Sequence, residues 1–375
     1  MTDGTAVEVA AIELRLVALP LVRPFRTSFG EERDKVAVLV RLETTDGATG
    51  WGECVAMASP RYSEEFNDAA WLAIRDHLGP PLLEAGPLDP DGLVAAMSWV
   101  RGHRMSKAAL EMAFLDAWLR ARGESLAAFL GAERDRVACG VSVGIAATPD
   151  ALVEQVAAYV EAGYRRVKLK IEPGWDVGPV TAVANAFPGT PLSVDANAAY
   201  RLADLPVFEA LDALDLVMVE QPLGHEDLLE HAVLARRIAT PVCLDESIRS
   251  AADARAALEL GACRIVNVKQ GRVGGLLEAR RVHDVAREHG APVWCGGMLE
   301  TGIGRAANLA LAALPGFTLP GDTSASERYF AEDITEPHRM APDGTMAVPA
   351  GAGLGVEPLP DRLEACTRRV ERIPA

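Results

Sequence analysis

Five strand-like runs in the second half of the sequence each end on an ionisable residue, and these residues recur every 24 or 25 positions. A strand, a helix and the two loops between them take roughly that many residues. Each ionisable side chain therefore holds the same place, the carboxyl end of a strand, in its own repeat. This regularity predicts a parallel sheet with helical crossovers, in which the five residues are Lys170, Asp195, Glu220, Asp245 and Lys269.

Eight apolar runs of this kind follow one another from about Val137, separated by amphipathic segments. In chain order they read "CGVSVGI", "RRVKLKI", "PLSVDAN", "LVMVEQP", "PVCLDES", "RIVNVKQ", "APVWCGG" and "FTLPGDT". Eight such repeats close into a barrel, whereas a doubly wound open sheet is the competing architecture. No GxGxxG or P-loop pattern follows any run, so nothing favours the open sheet. The sequence therefore predicts an α/β barrel.

The segments on either side of these repeats have a different texture. Residues 9–58 alternate as antiparallel strands, with an Asp46-Gly47 turn and a longer connection that reads "LVRPFRTSFGEERDK". The stretch "SKAALEMAFLDAWLRARGESLAAFLG" has apolar residues at helical spacing and closes on Gly131. We expect the last 50 residues, which include "PAGAGLGVEPLP", to return and pack on the N-terminal β structure.

Composition and charge argue against several classes of function. The 375-residue chain has a net charge of −16, whereas nucleic acids and anionic membranes attract basic surfaces. No apolar run approaches the roughly 18 residues that span a bilayer, and the start "MTDGTAVEVA" lacks the pattern of a signal peptide. Six cysteines without CxxC spacing indicate reduced, packed thiols. We therefore expect a cytoplasmic protein without nucleic-acid or membrane partners.

The central three of the five strand-end residues are carboxylates. Barrel active sites are built at the carboxyl ends of the strands, so all five side chains should converge on one pocket. Three neighbouring carboxylates repel one another unless a cation lies between them. Mg²⁺ fits because it prefers oxygen ligands and keeps positions open for substrate. Zinc is disfavoured because only Cys243 and Cys295, and no histidine, lie near these strand ends.

The lysines on either side of the carboxylates suit proton abstraction from a carbon next to a carboxylate. A lysine pKa near 10.4 is too high for a base at neutral pH. Lys168 lies two residues before Lys170 on the same strand face, and this like charge, with the metal, should lower the pKa of Lys170. A KxK pair alone is usually a solvated face, and a carboxylate such as Asp245 can simply cap the next helix. The joint pattern in five successive repeats favours function.

The longer strings around these residues resemble a known family. They are similar to the o-succinylbenzoate synthase / N-acylamino acid racemase family, in the muconate-lactonizing-enzyme-like group of the enolase superfamily, whose lysine bases and magnesium are a known pairing. The resemblance covers nearly the whole chain and is carried by "PFRTSFG", "WGECV", "GHRMSKAALEMAFLDA", "GVSVGI", "KLKIEPGWDV", "VDAN", "EQPL", "CLDESI", "GRVGG", "PVWCGGMLETGIGRAANLALA" and "FTLPGDTSAS". One departure is Gln270, where relatives usually have proline after the lysine.

The resemblance implies a fold and its division into domains. The fold would be a modified TIM barrel, (β/α)₇β, under an α+β N-terminal capping domain. The capping domain would take residues 1–133, the barrel 134–325, and a C-terminal segment, 326–375, would return to the capping domain. The segment "PFRTSFG" would close over the pocket. A homo-oligomer is also expected.

The resemblance also implies roles for individual residues. Asp195, Glu220 and Asp245 would bind Mg²⁺, for which Mn²⁺ could substitute. Lys170 and Lys269 would be the catalytic residues on opposite faces of a small carboxylate substrate. A further set would bind that substrate, and its members are Ser142, Lys168, Asn197, Met298 and Leu299.

The implied activity is magnesium-dependent dehydration of 2-succinyl-6-hydroxy-2,4-cyclohexadiene-1-carboxylate to o-succinylbenzoate in menaquinone synthesis, with N-acylamino acid racemisation as a second or principal activity. A mandelate-racemase-like reaction is weakened because no histidine lies between Pro292 and Phe330. A dipeptide epimerase would carry Asp-x-Asp where this chain has Ser324 in the second place. Muconate cycloisomerase and a catalytically silent homologue stay open.

Overall fold

The computed structural model describes residues 6–373, and its N-terminal part is an antiparallel sheet. Strands β1 (Val9–Thr27), β2 (Gly30–Thr44) and β3 (Thr49–Cys54) form it in sequence order. The Asp46-Gly47 turn between β2 and β3 is confirmed, with Gly47 in the left-handed region at φ 88°. The prediction that "LVRPFRTSFGEERDK" is a longer connection between strands is wrong. The residues of this segment pair across the β1–β2 hairpin up to Thr27 and Gly30, with an irregularity between Pro20 and Phe25.

Helices pack against one face of this sheet. They are α1 (Asn67–Ala73), which continues into a π-helical turn (Ile74–Leu78), α2 (Gly79–Glu84), α3 (Pro90–Ala96), α4 (Arg104–Arg120) and α5 (Leu126–Leu130). The long α4 lies very close to β3 because Gly50 and Gly52 leave room; a Cβ at either position would overlap the α4 backbone. The segment read as one helical stretch is two helices, and α5 ends at Gly131 as predicted.

The second half forms a seven-stranded parallel sheet. A short strand, β4 (Arg136–Ala138), precedes it. The sheet strands are β5 (Gly140–Val143), β6 (Arg166–Lys170), β7 (Leu192–Asp195), β8 (Val219–Glu220), β9 (Val242–Leu244), β10 (Ile265–Val268) and β11 (Val293–Cys295), paired in that order. Helices link and follow them: α6 (Pro149–Glu161), α7 (Val177–Ala186), a 3₁₀ turn (Leu202–Asp204), α8 (Leu205–Asp212), α9 (Leu228–Ala235), α10 (Ala251–Leu260), α11 (Gln270–Val273), α12 (Leu276–Glu288) and α13 (Gly302–Ala312).

The eighth apolar run, "FTLPGDT", closes the ring without forming a regular strand. Phe317 makes an isolated parallel bridge to Val293 of β11, and Gly321 makes another to Cys139 beside β5. Pro320 lies between the two bridges and has no N–H to donate, which explains why the ladder is interrupted. The predicted (β/α)₇β barrel is confirmed, but its last strand is reduced to these two bridges.

The C-terminal segment crosses back from the barrel to the N-terminal sheet. It contains a 3₁₀ turn (Ser326–Arg328), β12 (Thr345–Ala347), which pairs with β4, then α14 (Pro360–Cys366) and β13 (Thr367–Ile373). Strand β13 pairs antiparallel with β1, so the sheet order is β13-β1-β2-β3. The domain limits at 133/134 and 325/326 stay a proposal, and residues 1–5 and 374–375 lie outside the described part.

Two simpler expectations can be compared with this fold. Within residues 6–373 the structure has no helix that is both long and apolar enough to span a membrane. All six cysteines are free, five of them are buried, and Cys366 is half-buried. The prediction of reduced, packed thiols therefore agrees with the structure.

A buried glutamate joins the two parts of the molecule and should make stability depend on pH. Glu111 of α4 accepts from the Leu277 N–H at 3.0 Å, at the start of α12 in the barrel. Burial raises the pKa of Glu111 from its ordinary 4.5 to about 7. The folded state thus binds this proton more tightly than the unfolded chain does. The contribution of protonated Glu111 to the free energy of unfolding is complete below pH 4.5 and is lost as the pH rises through 7.

We expect Glu111→Gln to remove up to about 3 kcal/mol of the difference in unfolding free energy between pH 5 and pH 8. Urea unfolding at the two pH values measures this difference. Glu154→Gln, on the exposed face of α6, is the control. An unchanged pH difference in the Glu111 variant would contradict the prediction.

Candidate active site

The five residues found from their spacing lie on one rim of the barrel. Lys170, Asp195 and Glu220 are the last residues of β6, β7 and β8, while Asp245 and Lys269 directly follow β9 and β10. Cross-strand register aligns Lys170 with Asp195 and Asp195 with Glu220. All five are at most 8% exposed. Parallel strands therefore bring together residues that are far apart in the sequence.

A cavity opens at this rim, between the barrel and the N-terminal sheet. Both end lysines of the series line it, together with every residue proposed to bind substrate: Ser142, Lys168, Asn197, Met298 and Leu299. The N-terminal part contributes apolar and aromatic side chains such as Phe25, Phe29 and Tyr62 and the charged side chains of Glu32, Asp34 and Lys35. The three carboxylates lie behind the lysines, outside the lining. The cavity is thus a pocket with four ammonium groups in its wall, those of Lys35, Lys168, Lys170 and Lys269, and the three buried carboxylates behind the rim lysines.

Lys168 connects two of the carboxylates. Its Nζ donates to Glu220 Oε2 at 2.8 Å and lies 3.1 Å from Asp195 Oδ2. Lys170 Nζ donates to the same Asp195 oxygen at 2.6 Å, and Asn267 Nδ2 donates to Glu220 Oε1 at 2.6 Å. The interpretation of Lys168 as a bare like charge beside Lys170 is therefore incomplete, because carboxylates surround its ammonium group.

The third carboxylate has its own set of partners. Asp245 Oδ2 accepts from Lys269 Nζ at 2.7 Å, and Oδ1 accepts from the Tyr62 hydroxyl at 2.9 Å and from Arg272 Nη1. In the described part of the chain, no three Asp, Glu, His or Cys side chains are grouped so that they could hold a metal ion. Instead, the carboxylates of Asp195, Glu220 and Asp245 are turned towards ammonium and guanidinium groups.

The carboxylates shift each other's protonation. Burial, with repulsion from Asp195, raises the pKa of Glu220 to about 8. Burial opposes ionisation of Asp195 and Asp245 as well, but the adjoining lysines outweigh it and hold both pKa values below the ordinary range. The buried negative charge of the three carboxylates is thus incompletely compensated by the lysines.

The ammonium groups respond in the opposite sense. Burial alone would lower the pKa of Lys269, but Asp245 and other negative neighbours raise it well above its ordinary value. The pKa of Lys168 is raised in the same way, against burial, by Asp322, Glu220 and Asp195. While the carboxylates are paired with them, both groups are held as ammonium, so Lys269 can act as a base only when another cation takes up the negative charge of these carboxylates.

Several residues of the site were missed by sequence reasoning. Asp322, on the segment that closes the barrel, accepts from Lys168 Nζ and from Arg166 Nη2, each at 2.7 Å. Its signal was present, because it follows the eighth apolar run as the other site residues follow theirs. Arg272 lies in α11, three residues after Lys269, but Lys269 is the extended residue before that helix, so no helical periodicity relates the two. Tyr62 lies in the irregular segment between β3 and α1, where no periodicity marks it.

Strained backbone fixes the strand ends at this rim. Asn197, Gln221 and Leu299 are non-glycine residues with φ of 44°, 37° and 57°. Such conformations persist only when the surroundings enforce them. Gln221 Oε1 accepts from the N–H groups of Asp245 at 3.0 Å and Ser247 at 3.2 Å, which locks two neighbouring strand ends together. The backbone conformation of these strand ends and the Gln221 side chain therefore hold Asp245 in place beside Glu220.

The tip of the β1–β2 hairpin covers the cavity. Ser28 Oγ donates to Ala196 O at 3.2 Å, and Arg26 forms an ion pair with Glu172 at 2.7 Å. The Ile145 N–H donates to Arg26 O at 3.0 Å, and Gly144 allows this approach because a Cβ there would lie 2.9 Å from that oxygen. The hairpin is thus fastened to three different loops of the barrel rim.

Sequence families and relatives match the chain over nearly its whole length. The family described as mandelate racemase / muconate lactonizing enzyme, N-terminal domain, matches residues 11–131, and the enolase C-terminal domain-like family matches residues 151–362. The chain is 56% identical over 361 residues to an N-succinylamino acid racemase from Amycolatopsis sp, covering 96% of this chain and 98% of that protein. It is 46% identical over 352 residues to an o-succinylbenzoate synthase from Geobacillus kaustophilus, covering 94% of each.

A solved structure agrees with these relatives. A crystal structure described as an enolase-superfamily member from Enterococcus faecalis V583 superposes with a TM-score of 0.91 at 43% identity, covering 98% of this chain and 100% of that one. The barrel and the sheet above it are therefore family features. The chain is an enzyme of the enolase superfamily and belongs to its mandelate racemase / muconate lactonizing enzyme family.

Proposed function

We propose that this enzyme is a magnesium-dependent o-succinylbenzoate synthase that also racemises N-succinylamino acids. As a synthase it would dehydrate 2-succinyl-6-hydroxy-2,4-cyclohexadiene-1-carboxylate, a step of menaquinone synthesis. Both reactions begin by removing a proton from the carbon next to a carboxylate. The observation that carries the proposal is that Lys170 and Lys269 line one cavity from the ends of strands four positions apart in the barrel.

Barrel geometry supports an opposed arrangement of the two lysines. Seven strands and the closing segment make a ring of eight positions, in which β6 is the second and β10 the sixth. Side chains four positions apart in a ring of eight face each other across it. Lys170 and Lys269, at the ends of these strands, both line the cavity and are 8% and 6% exposed. A substrate carbon between them would be accessible to one lysine from each face.

The three carboxylates have the donor chemistry of a divalent-cation site, although in this structure their oxygens are paired with lysine ammonium groups and are not grouped around one point. Asp195, Glu220 and Asp245 offer only oxygen donors, which suit Mg²⁺ or Mn²⁺. The raised pKa of Glu220, about 8, reflects buried negative charge that the lysines do not fully neutralise. In addition, buried Glu246 Oε2 has no hydrogen-bond partner among the described residues. When bound by the three carboxylates, the ion would stabilise the negative charge that develops on the substrate carboxylate.

The lysines then divide the chemistry. In racemisation, the amine of one lysine removes the α-proton, and the ammonium group of the other delivers a proton to the opposite face. In dehydration, a lysine takes the proton, the C–O bond to the hydroxyl group breaks as the ring gains a double bond, and the ammonium group so formed returns the proton to the departing oxygen, so that water leaves. Dehydration needs one base only, and the second ammonium group stabilises the enolate charge. One constellation can therefore serve both reactions.

A second candidate is racemisation as the principal activity. The chain shares 56% identity with a relative named as a racemase and 46% with one named as a synthase. Dipeptide epimerisation has less support, because Ser324 is fully buried and donates to Gly140 O at 3.1 Å instead of lining the cavity. Muconate cycloisomerisation rests on the lysines and carboxylates alone. The predicted cytoplasmic location rests on the cysteine pattern and composition, the predicted homo-oligomer rests on the resemblance, and both stay proposals.

Kinetics with purified enzyme and Mg²⁺ test the proposal. We expect turnover of both the synthase substrate and N-succinylphenylalanine, and the ratio of the two kcat/KM values shows which activity is principal. A larger value for the amino acid would favour the racemase. If the enzyme turned over neither of the two substrates, the proposal would be contradicted.

The hairpin residue Phe25 should control which acyl groups are accepted. Its ring is 8% exposed and lines the cavity, but no catalytic group contacts it. We expect Phe25→Ala to change the ratio of kcat/KM between N-succinyl and N-acetyl substrates by about 10-fold or more, because pocket contacts discriminate by this order. Exchange of the α-proton of bound substrate should change less.

Val22→Ala is the matched control for Phe25, since Val22 lies on the same hairpin and is 46% exposed. If Phe25→Ala abolished α-proton exchange as completely as a change of Lys170, the hairpin would belong to the chemistry and not to selection of the acyl group.

A further inference from the structure

One residue of the N-terminal part contacts a lysine of the barrel directly. Tyr62 is half-buried in the segment between β3 and α1, and its hydroxyl accepts from Lys269 Nζ at 3.2 Å. The same hydroxyl donates to Asp245 Oδ1 at 2.9 Å. Lys269 Nζ also lies 4.6 Å from the centre of the Tyr62 ring, within the range of a cation–π contact. Tyr62 therefore restrains the ammonium group with both its ring and its hydroxyl.

The opposite lysine is held differently. Lys170 Nζ donates to Asp195 Oδ2 and to Asn197 Oδ1, each at 2.6 Å, and both acceptors belong to the barrel. The two lysines thus have matching hydrogen-bond environments, a carboxylate and one neutral oxygen. They differ in origin, because the neutral oxygen beside Lys269 comes from outside the barrel.

We propose that Tyr62 is a positioning residue for Lys269, so that proton transfer at one face of the substrate, and not at the other, depends on the N-terminal domain. This inference rests on the proposed function, because it assigns one lysine to each face. Two N–H bonds of Lys269 are then directed to Asp245 and Tyr62. With the stem they take three of the four bonding positions of the nitrogen, which leaves the fourth, the lone pair in the amine, for the substrate carbon. Without the hydroxyl, the flexible lysine stem has one restraint fewer.

The cost of losing this restraint should be confined to Lys269. A misplacement of about 1 Å between reacting groups can slow a reaction by about 10²-fold. In Tyr62→Phe, we expect α-proton exchange in D₂O to slow by about 10- to 100-fold for the enantiomer that Lys269 addresses. That enantiomer is the one whose exchange is lost in Lys269→Ala. Exchange of the other enantiomer should stay within about 3-fold of the unmodified rate.

The experiment measures exchange of L- and D-N-succinylphenylalanine separately by NMR, with saturating Mg²⁺. Tyr164→Phe is the matched control, because its hydroxyl accepts from the Ala325 N–H at 3.3 Å outside the cavity. Tyr62→Phe is also made in the Lys269→Ala background, where we expect no further effect on the remaining enantiomer. Thermal unfolding of each variant shows that the fold is retained.

An equal loss for both enantiomers would overturn the inference, since Tyr62 would then act through Asp245 or through the fold. An unchanged rate for both would overturn it as well, because the hydroxyl would not position Lys269. If the unmodified enzyme exchanged neither enantiomer, the proposed function itself would fail and the inference with it.

Discussion

Replacing Lys170 or Lys269 by alanine should abolish racemisation, while each variant still exchanges the α-proton of one enantiomer. Lys170→Ala should exchange the α-proton of one enantiomer of N-succinylphenylalanine in D₂O, and Lys269→Ala that of the other. Interconversion needs both groups, because one removes a proton and the other delivers it to the opposite face. Loss of one oriented catalytic charge typically costs about 10²–10³-fold or more in rate. The synthase reaction should fail in Lys170→Ala and fall by at least this factor in Lys269→Ala.

The measurement combines NMR exchange with polarimetry on the same samples. Lys107→Ala is the control, because Lys107 lies on α4, does not line the cavity and donates to Val100 O. Racemisation at the unmodified rate in either cavity variant would show that one lysine can serve both faces. The opposed arrangement of Lys170 and Lys269 would then have no role in the reaction.

Removal of the divalent ion should stop both reactions. EDTA followed by desalting is expected to abolish turnover, and added Mg²⁺ or Mn²⁺ should restore it. Glu220→Gln should weaken the binding of Mn²⁺, followed by its electron paramagnetic resonance, by at least about 10²-fold. The reason is that Glu220 lies between Asp195 and Asp245 on the central strand of the three, so its loss removes the middle ligand.

Glu209→Gln, a glutamate of α8 whose side chain is 47% exposed, is the control for the loss of one negative charge. Full turnover after chelation would contradict the assignment of Asp195, Glu220 and Asp245 as ligands. The same conclusion would follow if Glu220→Gln bound Mn²⁺ as tightly as the unmodified protein.

Much of the fold could be predicted because parallel strands and helices alternate with a fixed period. That period placed Lys170, Asp195 and Glu220 at strand ends without any knowledge of their contacts. It failed at "FTLPGDT", where a proline interrupts the ladder, so apolar character alone overestimated the last strand. It also failed at the β1–β2 hairpin, because the cross-strand pairs that extend it, such as Phe25 with Glu32, lie outside any regular apolar alternation.

The site was less predictable where a side chain arrives from an irregular segment. Tyr62 reaches Lys269 across 207 positions of sequence, and no local pattern marks a residue that acts only through such a contact. Asp322 could have been predicted as a site residue from its place after the eighth apolar run. It was missed because that run does not form a regular strand. The simple division in which the N-terminal domain selects substrate and the barrel performs chemistry does not describe Tyr62.

The pairing of β13 with β1 has a consequence for the order in which this protein can be made. The first strand of the chain acquires a neighbour that is synthesised more than 300 residues later. During translation the whole barrel leaves the ribosome while the sheet above it still has an open edge. The rim site would thus be assembled on the nascent chain before the N-terminal sheet has its fourth strand, β13. Contacts this distant in sequence form slowly, so the β13–β1 edge of the N-terminal sheet should be the last part of the molecule to fold.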